Sequence, residues 1–154
     1  MNKDQIKRFI EEQKIMRLAT INRDGTPHLT PMWYVVLDDK IHFTTGRDSV
    51  KAKNIQRCNK VSIVIDTGIE FSTLRGIMLK GTVTESRDEK LVQQIQILKG
   101  EKYFGKGHPH YLLYMGARAT LLPRNKTPDN RACYILNVDK QYSWDYMEKF
   151  GGKA

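Results

Sequence analysis

The sequence predicts a mainly β domain, an antiparallel barrel that is closed or nearly closed, with a few short helices packed around it. Three observations carry this reading. Short runs rich in β-branched and aromatic residues recur along the chain, separated by turn-forming residues, and amount to about six or seven strands. Only three segments have the spacing or caps of a helix. The chain is 154 residues long with no repeat or low-complexity linker, which fits one domain over 1–154. A chain of that size buries roughly 68–70% of its unfolded surface and needs no staples.

The elements follow in order. Ile6, Phe9, Ile10 and Gln13 have helical spacing and predict an amphipathic helix over 2–13. Ile15 to Ile21 reads as a strand, and Asn22-Arg23-Asp24-Gly25 as a turn of the Asp-Gly type. His28 to Leu37 reads as one long strand, with Pro31 demanding a bulge or an edge position. Asp38-Asp39-Lys40 turns the chain into a third strand, Ile41 to Thr45, which completes an antiparallel meander. Ser49 is an N-cap for a helix through Ile55 and Arg57. Val61 to Asp66 and Ile77 to Thr84 are strands, with a loop or hairpin from Thr67 to Arg75 between them. Ser86, with Glu89 three residues later, begins a helix whose apolar face is Leu91, Val92, Ile95 and Leu98 and which Gly100 stops. Lys102 to His110 is basic, aromatic and glycine-rich, the composition of a mobile functional loop. Ala117 to Leu122 and Ala132 to Val138 are late strands, separated by the polar run Pro123 to Arg131. The aromatic tail from Gln141 to Tyr146 ends in Phe150 to Ala154, which is expected to fray.

Composition excludes several classes. With 40% hydrophobic and 28% charged residues the chain is globular and not disordered. The longest apolar runs, such as Tyr34 to Leu37, fall far short of the ~20 residues that span a bilayer. No apolar stretch follows the first charges as in a secretory signal, so a cytoplasmic protein with no membrane partner is expected. Cys58 and Cys133 lack metal spacing and read as two buried free thiols rather than a pair. A net charge of +9 predicts an anionic partner. Nucleic acid is disfavoured, because the basic residues are dispersed and no recognition signature is present.

Candidate chemistry is sparse. His28, His42, His108 and His110 do not form a metal site at recognisable spacing, and neither cysteine sits in a catalytic signature. The segment Gly46 to Asn54 is more informative, because it joins a strand end to a helix start. Such a terminus offers amides and a positive dipole end to an anion. Ser49 adds a hydroxyl, and Lys51 and Lys53 add charge. On these residues alone the segment is equally a capped helix with solvated lysines.

Several motifs in succession resemble the pyridoxamine 5′-phosphate oxidase-like superfamily, the flavin-binding split barrels. They are Met16-Arg17-Leu18-Ala19-Thr20, Asp24-Gly25-Thr26-Pro27, Pro31-Met32-Trp33-Tyr34, Phe43-Thr44-Thr45 and Ser49-x-Lys51-x-Lys53-Asn54. Val61 to Val64, Gly76 to Val83 and Ser143-Trp144-Asp145 continue the match in order over nearly the whole chain. The resemblance implies a six-stranded split barrel forming a homodimer, with the cofactor in a groove between subunits. It places Arg17, Leu18, Ala19 and Thr20 along the ring and ribityl chain. Thr44, Thr45, Ser49, Lys51 and Lys53 then fall at the phosphate, and Pro31, Met32, Trp33 and Lys80 at the ring pocket or the partner's side of it.

One departure matters. Pyridoxamine phosphate oxidases proper carry a C-terminal Trp-to-Arg motif, whereas Trp144 is followed by Asp145-Tyr146 and by no Arg. The resemblance therefore implies not vitamin B6 oxidation but the chemistry of the small members, which use FMN, the deazaflavin coenzyme F420 or haem-derived tetrapyrroles. The expected function is an FMN-dependent oxidoreductase acting on a small organic substrate. In it the cofactor carries the chemistry, and no general acid or base is expected of the chain. Coenzyme F420 is the alternative, its acidic tail suited to Lys102 and Lys106. A non-catalytic flavin or haem carrier, with His108 or His110 as axial ligand, is the other.

Overall fold

The computed structural model describes residues 1–106, 108 and 131–150. Helix α1 (Lys3–Glu12) leads into strands β1 (Met16–Ile21), β2 (Pro27–Met32), β3 (Val35–Leu37) and β4 (Lys40–Gly46). Helix α2 (Val50–Arg57), β5 (Lys60–Thr67), a 3₁₀ turn (Phe71–Thr73) and β6 (Arg75–Ser86) follow. Then come α3 (Glu89–Phe104), β7 (Arg131–Asp145) and α4 (Tyr146–Phe150). Among the described residues the sheet has seven antiparallel strands in the order β2-β1-β5-β6-β7-β4-β3.

That order corrects the expectation of six strands and of a meander. The run from His28 to Leu37 is not one strand, because it breaks at Trp33 and Tyr34. Its halves become β2 and β3, the two opposite edges of the sheet. Pro31 thus sits on an edge strand, where a missing N–H does no harm. Three peptide steps span at most ~11 Å. Met32 on one edge and Val35 on the other therefore stay close, and the sheet must curl into a half-barrel. The β3–β4 hairpin turns on Asp38 and Asp39, both left-handed (φ 50° and 58°), as a two-residue type I′ turn requires.

The concave face holds Met16, Leu18, Phe43, Ile63, Ile65, Ile77, Leu79 and Tyr134 in one cluster, joined by Phe9 of α1. Asn2 and Gln5 close α1 with the reciprocal bonds of a capping box. A second layer forms where α3 covers β3, β4 and β7, with Ile95 against Val35 and Cys133 and with Leu91, Val92 and Leu98 around them. The expected apolar face of α3 is therefore the one that packs, but its ends differ. Ser86 still pairs with Cys133 in the sheet, and Asp88 is the cap, accepting from the amides of Lys90 (2.9 Å) and Leu91 (3.4 Å). Gly100 does not stop the helix. It is buried within it, and packing there outweighs the ~1 kcal/mol that glycine costs a helix. The C-cap is Gly105, at φ 78°.

Within the expected loop Thr67 to Arg75 lies the 3₁₀ turn. Ala132 to Val138 is part of β7, which runs on through the aromatic tail to Asp145. Gly81 marks a bulge at which Lys80 pairs with Lys140 but Gly81 with Val138, leaving Asp139 extra. Both cysteines are free, Cys133 buried as expected but Cys58 only half-buried. The expected strand Ala117 to Leu122, most of the run Pro123 to Arg131, His110 and the tail beyond Phe150 lie outside the described residues.

Candidate functional site

The start of α2 is built as the sequence suggests. Ser49 caps the helix, its Oγ 3.3 Å from the Ala52 amide. Thr45, the last inward residue of β4, lies with its hydroxyl 3.1 Å from the same Oγ. The amides of Val50 and Lys51 open the helix, so no intrahelical acceptor exists for them. Lys51 is half-buried and Lys53 exposed, and the first turn carries no acidic residue. This donor set, two hydroxyls, leading amides and a lysine, fits a phosphate.

The opposite end of α2 is anchored. Asn54, 3% exposed, donates to Thr20 Oγ1 (3.1 Å) and Asn22 Oδ1 (2.9 Å), and accepts from Arg57 (2.6 Å). The last residue of the Ser49-to-Asn54 motif is therefore the bracket that fixes the helix to β1. Arg47 does not extend the basic cluster as a solvated charge, because it is ion-paired to Glu85 of β6.

The remaining candidates divide by face. Arg17, Ala19 and Lys80 lie on the convex face. Arg17 pairs with Pro31 across the β1–β2 ladder and is ion-paired to Asp66. Ala19, Ser62 and Lys80 share one cross-strand row, which sets Ala19 and Lys80 about 10 Å apart. Lys80 therefore faces outward by alternation, 5.7 Å from the Tyr142 ring centre. The side chains of Leu18 and Thr20 point inward, 0% and 1% exposed, and Met32 packs against the core. Thr44 points into the second layer and accepts from Lys99 (2.9 Å) and Gln96 (3.2 Å). Leu18, Thr20 and Thr44 thus have only backbone to offer a ligand.

Trp33 stands at the junction of the two sheet edges, 37% exposed, stacked on Tyr103 with ring centres 4.2 Å apart. Tyr103 and Lys102 belong to the last turn of α3 rather than to a loop. The i to i+4 steps from Leu91 through Ile95 and Lys99 to Tyr103 were the signal that the helix continues past Gly100. Lys102 Nζ lies 4.0 Å from the Tyr34 ring centre with no hydrogen-bond partner among the described residues, and burial pulls its pKa down to about 8. Lys106 pairs with Glu101 at 3.2 Å. His42 is buried and burial lowers its pKa, whereas His108 is exposed.

Among the described residues, two clefts stand out. One, of about 260 Å³, is lined by Met1, Ser143 to Tyr146, Glu148 and Lys149, and the other, of about 220 Å³, by Glu11, Val35, Val36, Leu98 and Lys102. Neither is lined by the α2 start or by the convex-face residues Arg17, Ala19 and Lys80. Among the described residues no cluster of His, Cys, Asp and Glu could hold a metal ion, and no helix is long and apolar enough to cross a membrane.

Residues 3–145 match the family model described as pyridoxamine 5′-phosphate oxidase. A conserved hypothetical protein from Mycobacterium tuberculosis superposes with a TM-score of 0.83 at 28% identity, over 100% of this chain and 90% of that one. HutZ, the haem storage protein from Vibrio cholerae, superposes at 0.66 with 17% identity, over 91% and 92%. A structure titled F420 reductase superposes at 0.61 with 18% identity, over 88% and 94%. The last two show likeness of fold alone. No curated protein matches the sequence.

Proposed function

The chain belongs to the pyridoxamine 5′-phosphate oxidase family, and from that membership we propose that it is a flavin-dependent oxidoreductase. It binds FMN between two copies of the chain and moves a hydride to or from a small organic substrate. The observation that carries the reading is the start of α2. There Thr45, Ser49 and the leading amides converge beside Lys51, a built cradle for one phosphate.

When bound, FMN supplies the redox-active ring. The chain's own part is to hold and orient. The Thr45 and Ser49 hydroxyls donate to the phosphate, and Lys51 neutralises it. Asn54 keeps the cradle in register with β1. Arg17, Pro31, Trp33 and Lys80 supply the ring side, where an exposed cation such as Lys80 favours negative charge developing on a bound ring.

Coenzyme F420 is the second reading. Lys102 and Lys106 do not present themselves to its acidic tail, since one is held over Tyr34 and the other on Glu101. Lys80 and Lys140, both exposed and directly opposite on β6 and β7, do. Like charges in that position repel unless an anion joins them. A haem carrier is the third, with His108 as its exposed imidazole.

Titration of the purified chain with FMN, coenzyme F420 and haemin, followed by visible absorption, tests these readings. The proposal expects saturable FMN binding near ~450 nm and no Soret band. Binding of haemin alone, or of none of the three, overturns it.

A further inference from the structure

Tyr103 joins three parts of the molecule that are remote in sequence. Its ring stacks on Trp33, centres 4.2 Å apart and planes 14° from parallel, while Phe104 meets the Trp33 edge at 5.5 Å. Its hydroxyl accepts from the Tyr34 amide at 2.9 Å and donates to the Lys14 carbonyl at 2.5 Å. Tyr34 in turn donates its own hydroxyl to the Ile10 carbonyl of α1 at 2.6 Å. These bonds meet at the two-residue link between the sheet edges, where the backbone has left β2 and has not yet entered β3. Within that link no ladder hydrogen bond orients the chain. Side-chain bonds from α3 do so instead.

A tryptophan on such a link keeps two side-chain torsions, and an offset stack is one of the few contacts that fixes the plane of an indole. We propose that Tyr103 is a positioning residue for the ligand site. By holding the Trp33 plane and the Tyr34 backbone, it sets the aromatic surface against which a flat ring system is seated. This rests on the flavin reading above, which places Trp33 at the ring. It adds the last turn of α3 to the site, and with it a route by which a change in α3 reaches the ligand.

The test uses the full chain and three variants, Y103F, Y103L and W33F, with FMN as the probe. FMN is titrated by flavin fluorescence, and the near-ultraviolet circular dichroism of each ligand-free protein is recorded. Y103F keeps the stack but loses the hydroxyl bonds to the Tyr34 amide and the Lys14 carbonyl. It is expected to weaken FMN binding less than Y103L does, with the bound flavin's visible band unchanged. Y103L is expected to bind at least tenfold more weakly, with a band moved towards that of free flavin. It should also lose the same near-ultraviolet dichroic signal that W33F loses. A Y103L chain with wild-type far-ultraviolet spectrum, affinity and flavin band overturns the proposal. If wild type binds no flavin, the functional reading falls. The positioning claim is then decided by dichroism alone, and is overturned if Y103L retains the Trp33 signal.

Discussion

Ser49 and Lys51 bear most directly on ligand choice, because their proposed partner is a phosphate and not a ring. S49A removes one hydroxyl and K51M one charge. Hydrogen bonds to a charged group contribute about 1.5–3 kcal/mol each, so each variant is expected to weaken FMN binding about tenfold or more. Riboflavin, which lacks the phosphate, should bind wild type and both variants alike in the same fluorescence titration. Equal losses for both ligands would place the phosphate elsewhere. Lys102 gives a prediction about pH. Its folded pKa is lowered to about 8, whereas an unfolded lysine titrates near 10.4. Between those values the unfolded chain binds more protons, so stability rises with pH. Urea melts at pH 7.5 and 9.5 should show the stability of wild type relative to K102M rising with pH. Cys133, whose thiol burial pushes up to about 11, acts in the opposite sense in both proteins over the same window, and Tyr34 does so above it. The difference between wild type and K102M is therefore what reports Lys102. His42, its pKa lowered by burial, works in the same direction at lower pH: stability falls as the pH drops below about 6.5.

At the scale of elements, the β6–β7 pair depends on Gly81. A Cβ there would meet the Asn137 carbonyl oxygen at 1.9 Å, a backbone atom that cannot turn aside. G81A is expected to cost about 1–3 kcal/mol and to lower the melting temperature accordingly. Thermal unfolding followed by circular dichroism checks this, and an unchanged melting temperature would mean the bulge can slide. Elements with a local signal were legible in the sequence: α1 with its apolar spacing, the Asp24-Gly25 hairpin, α2 with its Ser49 cap, and the β-branched run of β5. The breaks were not. Nothing in His28 to Leu37 but Pro31 interrupts the strand pattern, and at Trp33 the chain passes from one edge of the curled sheet to the other. That is a tertiary demand with no local mark. The end of α3 is not legible for a related reason. Glycine is a stop only where nothing packs on it, and Gly100 is buried.

For the whole molecule, the ion pairs of Arg17, Arg47 and Arg75 with Asp66, Glu85 and Asp145, and of Lys106 with Glu101, each sum to zero and leave the +9 excess untouched. Lys51, Lys53, Lys80 and Lys140 belong to that excess and are the lysines proposed to meet an anionic ligand. The candidate site was legible at the α2 cradle, because a strand end, a cap and basic residues are contiguous in sequence. It was not legible at Tyr103, which meets Trp33 from seventy positions away along the chain. The ring-side candidates share a face only through strand register, and what covers that face is, in the account proposed, a second copy of the chain. Native mass spectrometry of the chain with FMN tests this most directly. A particle of two chains, each 17.9 kDa, carrying two flavins is expected, with flavin occupancy reduced in K51M while the pair of chains persists. FMN held by a single chain, or a pair of chains that takes up no flavin, would contradict it.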